Sequence, residues 1–143
     1  MAEARRARGL VDTSVVIEFD RVRADALPDE IAIAAVTLAE LAAGPHATED
    51  PAERARRQEH LQRAEATFDP IPFDAEAARA YGRVHAEVVA AGRKARGRRA
   101  VDLLIAATAL AAELPLYTRN PSDFDGLGDL IEVVTVQAAS PAG

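Results

Sequence analysis

Short apolar runs alternate with longer amphipathic segments along this 143-residue chain. The runs at residues 10–12, 31–36, 71–73, 114–118 and 131–136 have the length and composition of strands buried in a sheet. The segments between them carry apolar residues at helical spacing. Strands that alternate with helices predict an α/β fold with a mostly parallel five-stranded sheet and right-handed crossovers.

Several residues predict where the helices begin and end. Asp50 stands before Pro51, which is typical of an N-cap followed by proline at the first helical position. Asp74 is in the same way expected to cap the helix that follows the third strand, and Gly92 to end it. Pro72 predicts that the third strand lies near an edge of the sheet.

The composition is that of one globular domain. The hydrophobic fraction is 49% and the charged fraction 28%. We expect a single domain over residues 9–137, a disordered tail over 1–8 and a frayed end over 138–143. The absence of cysteine excludes disulfides and thiolate metal sites and fits a reducing cytoplasm. No stretch predicts a signal peptide or a membrane span.

Two acidic residues follow predicted strands. Asp12 ends the first strand, and Asp123 comes shortly after the fourth. In an open α/β sheet the ligand crevice lies outside the carboxyl ends of the strands. Asp12 could instead be an N-cap, although Thr13 or Ser14 would cap the next helix equally well. Asp123 could be an ordinary turn residue.

Two further acids are expected on helices. Glu40 stands three residues after Thr37, and a capping box at the start of a helix would explain it. Asp102 falls in the first turn predicted for an otherwise apolar helix over 101–112. Burying an unpaired carboxylate costs several kcal/mol, whereas the helix dipole returns only about 0.3–1 kcal/mol. Asp102 therefore needs a cation or an arginine beside it.

Four carboxylates gathered at one sheet edge would repel one another unless a divalent cation lay between them. Oxygen ligands without cysteine or clustered histidine favour Mg²⁺ or Mn²⁺ over Zn²⁺. Such a site suits hydrolysis of a phosphodiester, because the metal lowers the pKa of a bound water and stabilises charge on the phosphate.

A basic segment follows the fourth predicted helix. The formal net charge is −6, which by itself argues against a nucleic-acid partner. The cations are nevertheless concentrated locally, at Arg93, Lys94, Arg96, Arg98 and Arg99. This segment is either a solvated loop or a clamp for RNA phosphates. The aromatic fraction of 4% indicates that base stacking is not the main mode of binding.

Four motifs then occur in a characteristic order. They are Asp-Thr-Ser at 12–14, Ala-Glu-Leu-Ala-Ala-Gly at 39–44, Asp-Leu-Leu-Ile-Ala-Ala-Thr-Ala at 102–109 and Thr-Arg-Asn-Pro-Ser-Asp-Phe at 118–124. Together they resemble the motifs of PIN-domain ribonucleases, in particular the VapC toxins of bacterial toxin–antitoxin pairs. The extension through Arg8 departs from that family, whose chains usually begin just before the first strand.

The resemblance implies a three-layer PIN-like fold and endonucleolytic cleavage of RNA that depends on Mg²⁺ or Mn²⁺. It implies that an acidic quartet binds the metal, with two supporting polar residues: Asp12, Glu40, Asp102 and Asp123, supported by Ser14 and Asn120. Within the quartet, Asp12 and Asp102 are the implied direct ligands. The implied partners are RNA, a VapB antitoxin whose C-terminal tail blocks the site, and a second copy in a homodimer or a toxin–antitoxin hetero-oligomer.

Two other functions remain open. A receiver-like signalling domain also combines a doubly wound fold with clustered aspartates and Mg²⁺, but it requires a lysine at the end of the last strand. The only lysine here is Lys94, in the basic segment. A folded but inactive antitoxin-binding module is the other alternative, and the intact quartet argues against it.

Overall fold

Five parallel strands form the central sheet of the computed structural model, which describes residues 7–93 and 97–139 apart from the Arg98 side chain. In chain order the strands are Arg8–Val11 (β1), Glu30–Ala34 (β2), Pro70–Ile71 (β3), Leu116–Thr118 (β4) and Val133–Thr135 (β5). Their order across the sheet is β3-β2-β1-β4-β5, and every pairing is parallel. The predicted α/β fold is confirmed, and the third strand lies at an edge.

In the part of the chain that the structure describes, five α-helices lie between the strands. They are Thr13–Ile17 (α1), Ala35–Ala43 (α2), Pro51–Thr67 (α3), Ala75–Ala90 (α4) and Arg98–Ala111 (α5). The caps of α3 and α4 are confirmed, since Asp50 accepts a hydrogen bond from the Glu53 N–H and Asp74 from the Ala77 N–H. Gly92 follows α4 with a φ of 77°, a left-handed conformation that glycine adopts without strain.

The sheet separates two hydrophobic clusters because successive side chains of a strand point to opposite faces. In β1, Leu10 belongs to the cluster formed with α4 and α5, whereas Val11 belongs to the cluster formed with α1, α2 and α3. Leu116 and Tyr117 of β4 divide in the same way. The result is a three-layer architecture whose strands end together at one edge.

Several boundaries differ from those that the sequence predicts, and three of them bear on the functional residues. β2 ends at Ala34 and α2 begins at once, so Thr37 lies inside the helix and the predicted capping box is wrong. α5 begins at Arg98, which places Asp102 beyond the first helical turn and Arg99 within it. The predicted basic loop therefore includes the start of a helix.

The predicted tails fall partly outside the described residues, which exclude 1–6 and 140–143. Arg8 is already in β1. Ala138 forms a bridge with Val22, and the Ala139 N–H donates to the Arg21 carbonyl oxygen at 2.7 Å. Backbone pairing thus continues to residue 139, and the domain limits themselves stay a prediction.

Within the described ranges, none of the helices has the length and apolar composition that crossing a membrane would require.

Candidate functional site

A pocket of about 700 Å³ opens beside the C-terminal ends of β1 and β4. Most of the residues that the sequence marks as functional line it: Asp12, Ser14, Glu40, Arg99, Asp102, Asn120 and Asp123. They come from segments far apart in the chain and reach one place because parallel strands end at the same edge.

Asp12 is the most enclosed of the four acids, with 4% of its surface exposed. It is also the N-cap of α1, so the role that the sequence left open for Asp12 holds together with its place in the pocket. Its Oδ1 accepts hydrogen bonds from the Val15 N–H at 3.2 Å and the Ser14 hydroxyl at 2.6 Å. Its Oδ2 accepts one from the Thr118 hydroxyl at 2.5 Å.

Burial raises the pKa of Asp12, and the hydrogen bonds from Ser14, Thr118 and Val15 lower it by less. The neutral hydrogen-bond donors therefore offset only part of the cost of burying the charged carboxylate. A cation in the pocket would favour the charged form, and this makes Asp12 a suitable metal ligand.

Residues after β4 hold Asp12 through two hydroxyl groups. The Ser14 hydroxyl accepts from the Arg119 N–H at 3.1 Å while donating to Asp12. The Thr118 hydroxyl accepts from the Asn120 N–H at 3.0 Å while donating to the same carboxylate. The β4 end and the α1 start are thus joined at the acid that both surround.

Glu40 is held by the Thr13 hydroxyl, which in turn contacts the Thr37 hydroxyl. The Thr13 Oγ1 atom lies 2.5 Å from the Glu40 Oε1 atom and 3.1 Å from the Thr37 Oγ1 atom. Because a hydroxyl has one proton and a carboxylate only accepts, Thr13 donates to Glu40 and accepts from Thr37. Thr37 is fully buried. Glu40 therefore faces the pocket rather than capping its own helix.

Asp102 and Asp123 line the pocket from α5 and from the 3-10 helix Pro121–Phe124, and both are half-buried. Arg99 fixes the two elements to each other, since its Nη1 donates to the Asp123 carbonyl oxygen at 2.9 Å. Because this hydrogen bond is to the Asp123 backbone, the Asp123 carboxylate is not needed to hold Arg99.

The pocket is crowded with carboxylates, yet they are not gathered at coordination distance. Among residues 7–93 and 97–139, no group of three or more His, Cys, Asp or Glu side chains is close enough to hold a metal ion. The pocket nevertheless offers carboxylate oxygens together with hydroxyl and amide oxygens, which are ligands for hard cations such as Mg²⁺.

The predicted basic clamp is only partly placed. Lys94 and Arg96 lie outside the described residues, as does the Arg98 side chain. Arg93 is exposed and forms an ion pair with Asp125 at 2.9 Å. Of the described members, only Arg99 lines the pocket.

Sequence reasoning missed several residues of this site: Thr13, Glu18, Thr37, Thr118 and Arg119. Thr118 ends the fourth strand and Arg119 follows it, directly before Asn120, and this neighbourhood was the signal that could have identified them. Thr37 gave none, because the capping-box pattern accounted for it.

Comparisons with known proteins agree on the fold. The family model described as the PIN domain matches residues 9–129. Ribonuclease VapC5 of Mycobacterium tuberculosis is 37% identical over 134 residues, which cover 92% of this chain and 96% of that protein. Ribonuclease VapC of Rickettsia bellii is 30% identical over 135 residues, which cover 89% of this chain and 95% of that protein.

A solved structure gives the same result. VapBC-5 of Mycobacterium tuberculosis, described as a member of the VapBC family of toxin–antitoxin systems, contains a chain that superposes with a TM-score of 0.75. The sequence identity is 34%, and the match covers 90% of this chain and 98% of that one. Because the family model matches most of the chain and these relatives align over nearly their whole length, the chain belongs to the PIN-domain family, among the VapC ribonucleases.

Proposed function

We propose that this protein is an endoribonuclease that depends on Mg²⁺ or Mn²⁺ and acts as the toxin of a VapBC-type pair. The observation that carries the proposal is the convergence of Asp12, Glu40, Asp102 and Asp123 on one pocket. Its relatives include proteins named Ribonuclease VapC, and a structural neighbour belongs to a toxin–antitoxin system.

The same four residues would hold the metal. Burial raises the pKa of Asp12, and a cation is the partner that would favour its charged form. Bound there, the metal would lower the pKa of a water molecule and stabilise charge that develops on the phosphate. Asp12 and Asp102 are the proposed direct ligands. Because the carboxylates are not yet gathered as a group of three, the side chains would have to close around the ion.

The protein supplies orientation and electrostatics. Ser14 and Thr118 fix both oxygens of Asp12, and Thr13 directs one oxygen of Glu40 into the pocket. Asn120 lines the pocket and supports this arrangement through its backbone N–H on Thr118. The proposed RNA clamp consists of Arg93, Lys94, Arg96, Arg98 and Arg99.

The test is RNA cleavage with Mg²⁺, with Mn²⁺ and with EDTA. We expect the parent protein to cut RNA internally with either metal, and Asp102→Asn to abolish cleavage while the fold is retained. Asp129→Asn is the matched control, because Asp129 is exposed and does not line the pocket. Equal cleavage by the parent and Asp102→Asn would contradict the proposed site. A well-folded parent that never cuts RNA would instead indicate an inactive antitoxin-binding module.

We also propose that a VapB-type antitoxin and a second copy of the chain are its protein partners. Induction in bacteria should arrest growth, Asp102→Asn should not, and co-expression of the cognate antitoxin should relieve the arrest. Sedimentation of the purified protein alone and with the antitoxin would test the homodimer and the hetero-oligomer. If Asp102→Asn arrested growth as strongly as the parent, toxicity would not depend on RNA cleavage, and the proposal would be contradicted.

A further inference from the structure

Arg119 is fixed beside Asp12 by its backbone and lines the same pocket with its side chain. Its N–H donates to the Ser14 hydroxyl at 3.1 Å, one hydrogen bond away from the Asp12 carboxylate. The Arg119 side chain is 23% exposed. A cation thus stands at the rim of a pocket whose other charged groups, apart from Arg99, are carboxylates.

The Arg119 guanidinium is only partly satisfied. Its Nη1 pairs with a carboxylate oxygen of Glu18, the residue that follows α1. Its Nε is buried and has no hydrogen-bond partner among the residues that the structure describes. Buried donors without a partner are rare in folded proteins and call for a specific explanation.

We propose that Arg119 binds a phosphate group of the RNA backbone in this pocket and that Glu18 holds the same guanidinium in a competing ion pair. The inference rests on the proposed function, and it adds to the proposed clamp a cation that lies beside Asp12. Guanidinium groups bind phosphate through two parallel N–H···O bonds, and Nε, which is buried while the ion pair holds the side chain, could supply one of them only after the group turns away from Glu18. Glu18 can give way because its side chain is 40% exposed and water would replace Arg119.

Arg99 is less suited to this role, although it also lines the pocket. Its Nη1 already donates to the Asp123 carbonyl oxygen and so holds a backbone turn in place. Arg119 has no such contact with a backbone carbonyl among the described residues, and its one charged partner is a side chain that can move.

A purely structural role for the Arg119–Glu18 pair makes a different prediction. If the pair only tied β4 to α1, removing either partner would weaken the site in the same direction. If Glu18 competes with RNA for Arg119, the two removals act with opposite signs.

The experiment measures binding of a short, fluorescein-labelled, mixed-sequence single-stranded RNA by anisotropy in Mg²⁺ buffer over a range of salt concentrations. All proteins carry Asp102→Asn so that the RNA stays intact. We expect Arg119→Gln to weaken binding about tenfold and Glu18→Gln to strengthen it about two- to fivefold. In the Arg119→Gln background, Glu18→Gln should strengthen RNA binding less than it does alone. Only the effect of removing one negative charge then remains.

The salt dependence of RNA binding separates the contribution of the Arg119 charge from that of its two-pronged geometry. Arg119→Gln should reduce the slope of log K against log salt by about 0.7, the loss of one contact with a single-stranded backbone phosphate. Arg119→Lys should keep the slope, because the charge remains, yet recover only part of the affinity, because the two-pronged geometry is lost. The controls are Arg23→Gln and Asp25→Asn, which break an exposed ion pair of 2.7 Å that does not line the pocket.

Weaker binding in both single variants, or no change in either, would overturn the role of Arg119 while cleavage by the parent kept the proposed function intact. Failure of the Asp102→Asn protein to bind RNA, together with no cleavage by the parent, would overturn both. Urea unfolding of each variant would show whether a loss of affinity reflects a loss of fold.

Discussion

Replacing Thr118 by valine should destabilise the protein mainly through the charge on Asp12. Thr118 is fully buried, and its hydroxyl is the sole donor to Asp12 Oδ2 among the hydrogen bonds described above. Valine has a similar shape but no hydroxyl, so the charged oxygen would stay buried with no donor in its place. The Asn120 N–H would also lose its acceptor.

The size of the effect follows from these two losses. A hydrogen bond to a charged group contributes about 1.5–3 kcal/mol, and a neutral one about 0.5–1.5 kcal/mol. Asn120 is exposed, so water can replace much of its lost bond. We expect a loss of about 2–4 kcal/mol in the free energy of unfolding at neutral pH. Protonation of Asp12 at acidic pH removes the charge and should reduce the loss by about 1–2 kcal/mol.

Urea unfolding followed by circular dichroism, at neutral and acidic pH, would measure both quantities. Thr108→Val is the matched control, because Thr108 is equally buried but donates to a neutral group, the Leu104 carbonyl oxygen at 2.9 Å. We expect the control to cost about 1 kcal/mol at either pH. A cost for Thr118→Val no greater than that of the control, or one that does not shrink on acidification, would refute the reasoning.

Three further predictions concern other positions. Burial raises the folded pKa of Asp12 above its ordinary value of 3.8, so its charge lowers stability progressively in the pH window between 3.8 and the folded pKa, and the full penalty applies above that window. Asp12→Asn should therefore gain stability relative to the parent as the pH rises through that window, and paired denaturation curves without such a trend would contradict it. Gly9→Ala should lose about 1–3 kcal/mol in thermal unfolding, because a Cβ there would lie 2.4 Å from the Tyr117 ring, whereas Gly82→Ala in α4 has free space and should gain about 0.5–1 kcal/mol. Arg99→Gln should weaken RNA binding and flatten its salt dependence by about 0.7, and an unchanged slope would remove Arg99 from the clamp.

The sequence predicted those parts of the fold that depend on local pattern. The Asp50 and Asp74 caps and the five-stranded α/β sheet followed from residue types at fixed spacing, and the structure confirms them. The placement of Asp12 and Asp123 followed from a topological rule about where parallel strands end, whereas the resemblance to PIN-domain ribonucleases supplied Glu40 and Asp102. Neither required knowledge of any contact between distant side chains.

The parts that were missed depend on such contacts. Thr37 and Glu40 match a capping box locally, but the buried hydroxyl of Thr37 contacts Thr13, 24 residues away, and Glu40 contacts Thr13 as well. Thr118 reaches Asp12 across 106 residues of sequence. The start of α5 at Arg98 was missed for another reason, because a run of cations next to glycine has no apolar periodicity to indicate a helix.

These long-range contacts connect the ion-binding and RNA-binding halves of the proposed site. Ser14 donates to Asp12 and accepts from the Arg119 N–H, so a shift of the backbone at residue 119 would move a donor to the buried carboxylate. Charge on Asp12 is better tolerated when a cation is present, and Arg119 is free to bind phosphate only when it leaves Glu18. A metal ion among the carboxylates would also reduce their repulsion of a phosphate bound to Arg119, so metal and RNA should bind with positive coupling. Reciprocity then requires that RNA raise the metal affinity by the same factor as metal raises the RNA affinity.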